Sequence, residues 1–412
     1  MQNDDTQFAL RRQESKVSTL NNQIASQRRI QDLRDDPLAA GHAIRYQSYL
    51  ARLERFGNNA KTANDQYKIT ENYMNQSLQV MQRIRELAVQ GATGTNTADD
   101  LKNMAPEVNE LLKELVQNGN ATGPDGVRVF AGTKSFTEPF EIVLGGKGGS
   151  DEAKITEVRY NGSVGAKNVE VDDQSYISTD TPGNRTFWAE KQSLFSPVDA
   201  TKFTVKADTS IEVDGVNVPL AAGDNVYAII SKINDSGAAV KAYLDPVTNG
   251  LNLETTDARQ LWLADGPAAD GKTGDVLSSL GMVKSGQRPP YNMGTSVRTS
   301  GGSLFDAVIS LRDAMESGDH ESIGGLILGS VDGAIENLSS RLSEIGAKYA
   351  RTQASIARID TQTINVTAAE SREADIDFTK AVTDLKMYEF VQQATLSTAG
   401  KLYSNSLLNY IK

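Results

Sequence analysis

The sequence has no cysteine, so it excludes disulfides, thiolate catalysis and Cys-bound zinc. Its two histidines, His42 and His320, are too few for a His-rich metal site. No apolar run approaches the roughly 18 residues of a membrane span, and no basic start followed by a hydrophobic stretch marks a cleavable signal peptide. Net positive charge is also missing. With 42 basic and 53 acidic residues the chain carries −11, which argues against nucleic acid or an anionic membrane as partner. What is present is length and patterning: 412 residues with 39% hydrophobic content, enough for folded structure in more than one domain.

Proline is distributed unevenly. None lies between Pro37 and Pro106, and none after residue 303. Residues 121–300 hold most of the prolines and are rich in Gly, Thr, Val and Asp. The reading is helix, then strand, then helix.

Stepping by seven from Tyr46 gives Leu53, Ala60, Tyr67, Met74, Met81 and Ala88; from Tyr49 it gives Phe56, Ala63, Thr70, Ser77 and Ile84. This heptad seam predicts a helix that packs lengthwise on a partner. Asp35-Asp36-Pro37 reads as its start, since proline suits the first helical position and a carboxylate suits the helix dipole. Residues 38–90 would span about 80 Å at about 1.5 Å per residue. Gly91 to Gly94 end the helix, and Thr97 to Asp100 open a second one running to about Asn118.

The C-terminal part has its own seam: Val331, Ile335, Leu338, Leu342, Ile345, Tyr349, Thr352, Ile356 and Ile359. It predicts a helix over 326–366 of about 60 Å. Two such seams most simply pair with each other; separate packing in ordinary cores is the alternative.

Two further helical segments lie at the termini. Leu10, Val17 and Ile24 are seven apart with Leu20 between them, and Ile30 follows. Ile376, Val382, Leu385, Met387, Tyr388, Val391, Leu396, Leu402, Leu407 and Leu408 make the last helix apolar on more than one face. Such a helix must be covered, and neighbouring copies of the chain are the expected cover.

In the middle, Val127–Thr133 reads as a strand with Phe140–Leu144 as its returning partner, and Lys154–Tyr160 alternates. Residues 211–263 read as two strands around Asp214-Gly215, a helix from Val226 to Ile233, and strands near Val240 and Leu251. The fold class expected is α+β: a long antiparallel coiled-coil-like helical bundle from both ends, with an inserted mainly β domain containing a small ββα unit. The expected divisions are 1–36, 37–145, 146–295, 296–366 and 367–412.

No catalytic motif stands up. Gly145–Gly149 lacks P-loop spacing and reads as a turn. Asp265-Gly266, Asp270-Gly271 and Asp275 lack the EF-hand spacing. Asp375 and Asp377, two apart, do not face each other on a helix and read as helix-start charges near Ser371. Both histidines read as surface residues, His320 in a loop. No Gly-x-Ser-x-Gly elbow occurs, and Arg28-Arg29 is too short for nucleic acid. The chain is read as a non-enzyme without cofactor or metal.

The seam residues also carry a resemblance. Gln23–Ser26, Arg29-Ile30, Asp35–Ala40 and Arg85–Ala92 resemble the N-terminal part of the flagellin superfamily. Asn365–Arg372 and Asp375–Phe378 resemble its C-terminal motif. Gly126–Thr133 with Glu138-Pro139-Phe140, and the ending Ser406–Ile411, are similar to the superfamily's hook-associated branch at the hook–filament junction. Gln27 stands where the superfamily commonly has glycine, and the chain opens a few residues late, which implies a truncated start.

The resemblance implies a structural junction in the bacterial flagellum, with flagellin itself or a secreted coiled-coil adhesin or translocator as alternatives. It implies export unfolded through the flagellar type III channel. It also implies these partners: neighbouring copies in a tubular ring, another hook-associated protein on the hook side, flagellin on the filament side, and a cytoplasmic export chaperone. The implied location is extracellular, or periplasmic for an internal flagellum.

Overall fold

The computed structural model describes residues 2–145, 154–268 and 273–408, without the side chains of 2–6, 399 and 401–408. The elements in chain order are α1 (Gln2–Ser26), α2 (Pro37–Ala92), α3 (Ala98–Gly119), β1 (Phe140–Gly145), β2 (Lys154–Tyr160), β3 (Asn168–Asp172), β4 (Ser175–Ser178), α4 (Gly183–Thr186), β5 (Lys191–Phe195), β6 (Thr209–Val213), β7 (Val216–Leu220), α5 (Val226–Asp235), β8 (Val240–Leu244), β9 (Leu251–Ala258), β10 (Leu263–Asp265), α6 (Val276–Ser279), β11 (Arg298–Ser300), α7 (Leu304–Ser317), α8 (His320–Ser322), a π-helical turn (Ile323–Ile327), α9 (Leu328–Ala374) and α10 (Phe378–Leu408). They form two compact units, residues 1–58 with 355–412, and residues 59–354.

In the first unit α2 and α9 run antiparallel. Gln47 Nε2 donates to Glu370 Oε1 at 2.8 Å, and Leu53, Phe56 and Ile359 form a buried cluster flanked by Tyr49 and Val366. Gly57 faces Ile359 with room for a methyl group, since a Cβ there would lie 3.6 Å from Ile359 Cγ2, an ordinary contact distance.

The second unit contains the rest of both helices. Arg85 Nε meets Asp332 Oδ1 at 2.5 Å, again in the antiparallel sense. On α2, Leu53, Tyr67, Met74 and Met81 are buried and Tyr46 is half-buried. On α9, Val331, Leu338, Ile345 and Ile359 are buried, while Ile335, Leu342, Tyr349 and Ile356 are half-buried. The centre of that seam therefore follows Val331, Leu338, Ile345, Thr352 and Ile359. Across the start of α9, buried Ile323, Ile327 and Val331 are spaced four and four, where a heptad alternates four and three. The π turn absorbs the extra residue, and Gly324-Gly325 lie within it.

Capping boxes start α3 (Thr97 with Asp100) and α7 (Ser303 with Asp306). The expected ββα unit is β6, β7 and α5. Asp214 and Gly215 both take positive φ (51° and 80°), the geometry of a two-residue hairpin turn, and Asn225 caps α5. Its core includes Val213, Ile229, Leu253 and Leu263. The sheets are antiparallel in the orders β10-β6-β7, β11-β5-β9-β8, β1-β2 and β3-β4.

Two expectations need correcting. Phe140–Leu144 pairs with Lys154–Tyr160, not with Val127–Thr133. Gly126 and Gly132, at φ 78° and 61°, bend the chain at both ends of that run. Phe130 there enters an aromatic cluster, 4.9 Å from Phe187, which lies 5.1 Å from Phe140. The second correction is at the C-terminal helix, which passes residue 366 and ends at Ala374, where Ser371 Oγ donates to Asp375 Oδ2 at 2.6 Å.

Candidate assembly surface

The terminal helices α1 and α10 lie in the first unit and pack on each other. Their direction is antiparallel: Lys16 Nζ sits 4.8 Å from the Tyr388 ring centre, and Arg28 bridges to Asp375. The last helix, for which neighbouring copies were the expected cover, is thus covered on one side by α1 of its own chain. Leu10, Val17, Leu20 and Ile24 are half-buried, as are Val382, Leu385 and Val391. Heptad spacing on α1 matches a partner within its own chain. Leu402, Leu407 and Leu408 lie on α10, but their side chains fall outside the described residues.

The outward face consists of other residues. At about 100° per residue Met387, Phe390 and Ala394 share one side of α10, with Ala381, Tyr388 and Thr395 on the other. Met387 is 51% and Phe390 72% exposed; Phe8, Phe378 and Leu396 are exposed as well, the last two on the side of α10 opposite Met387. Sequence reading had counted Met387 and Leu396 among the apolar residues of the last helix but missed Phe8 and Phe390, although the i, i+3 and i+7 spacing of Met387, Phe390 and Ala394 was available.

Two short connectors tie the pair to α2 and α9. Arg29 N–H donates to Ala374 O at 2.8 Å and Ile376 N–H to Gln27 O at 3.2 Å, which leaves Ile30 and Ile376 half-buried. Gln27 ends α1 in the left-handed region at φ 56°. Asp36 Oδ1 accepts the Ala39 N–H at 3.1 Å and so caps α2, with Pro37 at the first position. That bond holds the Asp36 carboxyl below its usual range. Asp35 is lowered likewise by the amides of Asp32 and Gln31. Asp377 Oδ1 accepts the Lys380 N–H at 3.0 Å and caps α10. His42 lies 3.6 Å from Glu373, and Arg28 lies 3.7 Å from Glu370.

The rejected chemical motifs have plain structural partners. His320 opens α8, not a loop, and its Nδ1 is 2.8 Å from Gly91 O. Asp265 accepts the amides of Leu277 and Ser278, and Asp275 pairs with Lys206 at 3.0 Å. Asp270, Gly271 and Gly146–Gly149 lie outside the described residues. No acidic or histidine cluster able to hold a metal occurs among the described residues.

Helical ends of this kind, capped, paired and apolar outward, have a counterpart among known families. The bacterial flagellin N-terminal helical region matches residues 1–135, the flagellin C-terminal helical region matches 328–411, and the flagellin hook IN motif matches 202–257. The chain belongs to the flagellin superfamily. The last of these matches falls on the ββα unit. Flagellin A of Vibrio cholerae is 24% identical over 403 residues, covering 96% of this chain and 94% of that one. A flagellin of Salmonella muenchen is 28% identical over 65% of this chain, and the match spans about half of that relative (52%). Among solved structures, flagellar hook associated protein-3 from Legionella pneumophila aligns with a TM-score of 0.48 at 16% identity, over 79% of this chain and 97% of that one. The flagellar junction protein FlgL from the same organism aligns at 0.47 and 16%, over 81% and 100%.

Proposed function

We propose that this superfamily member is a structural junction protein of the bacterial flagellum, adapting hook to filament through self-assembly of its terminal helices. The observation that carries this is the outward apolar face of the α1–α10 pair. Nine of the nineteen large apolar side chains exposed among the described residues lie in the first unit, which is under a third of the chain, and five of the nine are on α1 and α10. Exposed apolar surface concentrated in this way marks an interaction site.

Charge is divided along the same line. The first unit has fifteen basic and fourteen acidic residues, and residues 59–354 have 27 and 39. The terminal helices can therefore associate with little repulsion, while the acidic unit resists association.

The partners are neighbouring copies in a tubular ring, a hook-associated protein on the hook side, flagellin on the filament side, and an export chaperone that grips the amphipathic termini before assembly. Contacts that build a tube are heterologous and open. The location is the flagellum, outside the cytoplasm. No helix among the described residues is long and apolar enough to cross a membrane. The role assigned is structural, with no catalytic step.

Deleting the gene should leave hooks without filaments and shed unpolymerised flagellin, with rescue by the full chain but not by a chain ending at residue 374. A deletion strain with normal filaments would refute the reading. The near full-length likeness to flagellin A favours a second reading, a bulk filament subunit. Purified chain polymerising alone into long filaments would select it.

A further inference from the structure

In the unit of residues 59–354 an asparagine side chain closes on the outer strand of three sheets. Asn234, in the last turn of α5, donates from Nδ2 to the Ala242 carbonyl at 3.0 Å and accepts the Ala242 N–H on Oδ1 at 2.7 Å. Asn120, at the end of α3, does the same to Phe140 of β1, at 2.7 and 2.8 Å. Asn59 on α2 donates to the Glu170 carbonyl of β3 at 2.8 Å. In the remaining sheet the outer strand β7 contains Pro219, which has no N–H.

The place of the Asn234 contact on its strand is what matters. β8 is outermost in the order β11-β5-β9-β8, and Ala242 is the middle one of its five residues. In an antiparallel pair alternate residues turn both backbone groups toward the neighbouring strand, and the others turn both away. Ala242 lies opposite Leu253 of β9 but spends its N–H and C=O on Asn234, so residues 240, 242 and 244 form the outward set. A strand added here would need that set, and the Asn234 amide already fills its central position as a peptide group would. Asn234 is exposed, so this contact lies at the surface. The opposite edge of the same sheet is β11, three exposed residues that include Arg298. Short, charged or blocked edges keep sheets from pairing between molecules.

We propose that Asn234 and Asn120 are edge caps that deny strand addition by a second copy of this chain. β1 shows what a cap restrains. Beyond Phe140 its Ile142 and Leu144 are 41% and 59% exposed, an apolar edge suited to pairing. The caps act whichever surface the chain assembles through, so the proposal stands apart from the assembly reading.

The test compares the full chain with its Asn234→Ala variant by sedimentation velocity over a concentration series, with hydrogen exchange read at the Ala242 amide. The terminal helices are the same in both, so only the difference counts. The variant should self-associate at a concentration about tenfold lower, as expected when two backbone groups become free to pair. Its Ala242 amide should exchange faster than in the original at low concentration and slow again as concentration rises. Ile229→Val, which loosens the same core without touching the edge, should leave self-association unchanged. Should Asn234→Ala fail to fold, Asn120→Ala with exchange read at the Phe140 amide decides in its place. Faster exchange that ignores concentration, with no added association, would overturn the proposal and leave these asparagines as partners of local backbone only.

Discussion

Arg29 donates its backbone N–H to the carbonyl of Ala374, so residues from opposite ends of the chain close the gap between α9 and α10. Gln27 makes this geometry possible by ending α1 at φ 56°. A non-glycine residue there costs roughly 1 kcal/mol. Gln27→Gly should therefore raise the stability of the first unit, by up to about 0.6 kcal/mol once the extra freedom of the unfolded chain, about 0.4–1 kcal/mol, is subtracted. Urea unfolding followed by a probe on α1 measures this, and a loss of stability would contradict it.

Ile359 seals the contact of Leu53 and Phe56. Ile359→Ala should cost about 2–5 kcal/mol in the first unit. Gly57→Ala should do the reverse and stabilise by roughly 0.5–1 kcal/mol, because its new methyl group would meet Ile359 at ordinary contact distance. Hydrogen exchange on α2 separates the two effects unit by unit.

Met387 and Phe390 are exposed on α10. Met387→Ser with Phe390→Ser should leave the circular dichroism and melting of the isolated chain within about 0.5 kcal/mol of the original. The same pair should abolish incorporation into flagella, scored by electron microscopy. Normal incorporation would move the assembly surface elsewhere.

Glu344 supplies a pH dependence. Burial raises its pKa, but Lys348 at 2.8 Å, then Arg185 and Arg341, outweigh burial and hold it at about 2 against an ordinary 4.5. A depressed carboxyl stabilises the fold above its unfolded pKa and loses that contribution as pH falls. The unit of residues 59–354 should therefore lose stability between pH 4.5 and 2, and Glu344→Gln should flatten that slope in a thermal-melt series.

Much of this architecture was legible because it is written locally. The Met74 and Met81 seam, the Thr97 box and the Asp214-Gly215 turn each need only a few neighbouring residues. The rest depends on distant partners. Nothing around Val127–Thr133 announces that Phe130 belongs with Phe187, so an extended run was given a strand partner. The π turn was hidden because Gly324-Gly325 looks like a break, not a widened turn between buried isoleucines. On α1 the heptad was plain, but its partner was not. An internal helix and a neighbouring copy satisfy the same pattern, and the outward residues emerge only once α10 occupies the inner face.

Gln47 and Glu370 are neighbours separated by 323 positions. Closing so large a loop in a bare chain is entropically slow. Once Arg85 and Asp332 are joined within residues 59–354, the remaining loop is far shorter. The terminal helices should then knit last, like a zip whose slider starts in the middle. A chain emerging from a channel would keep its adhesive ends open until its centre had set.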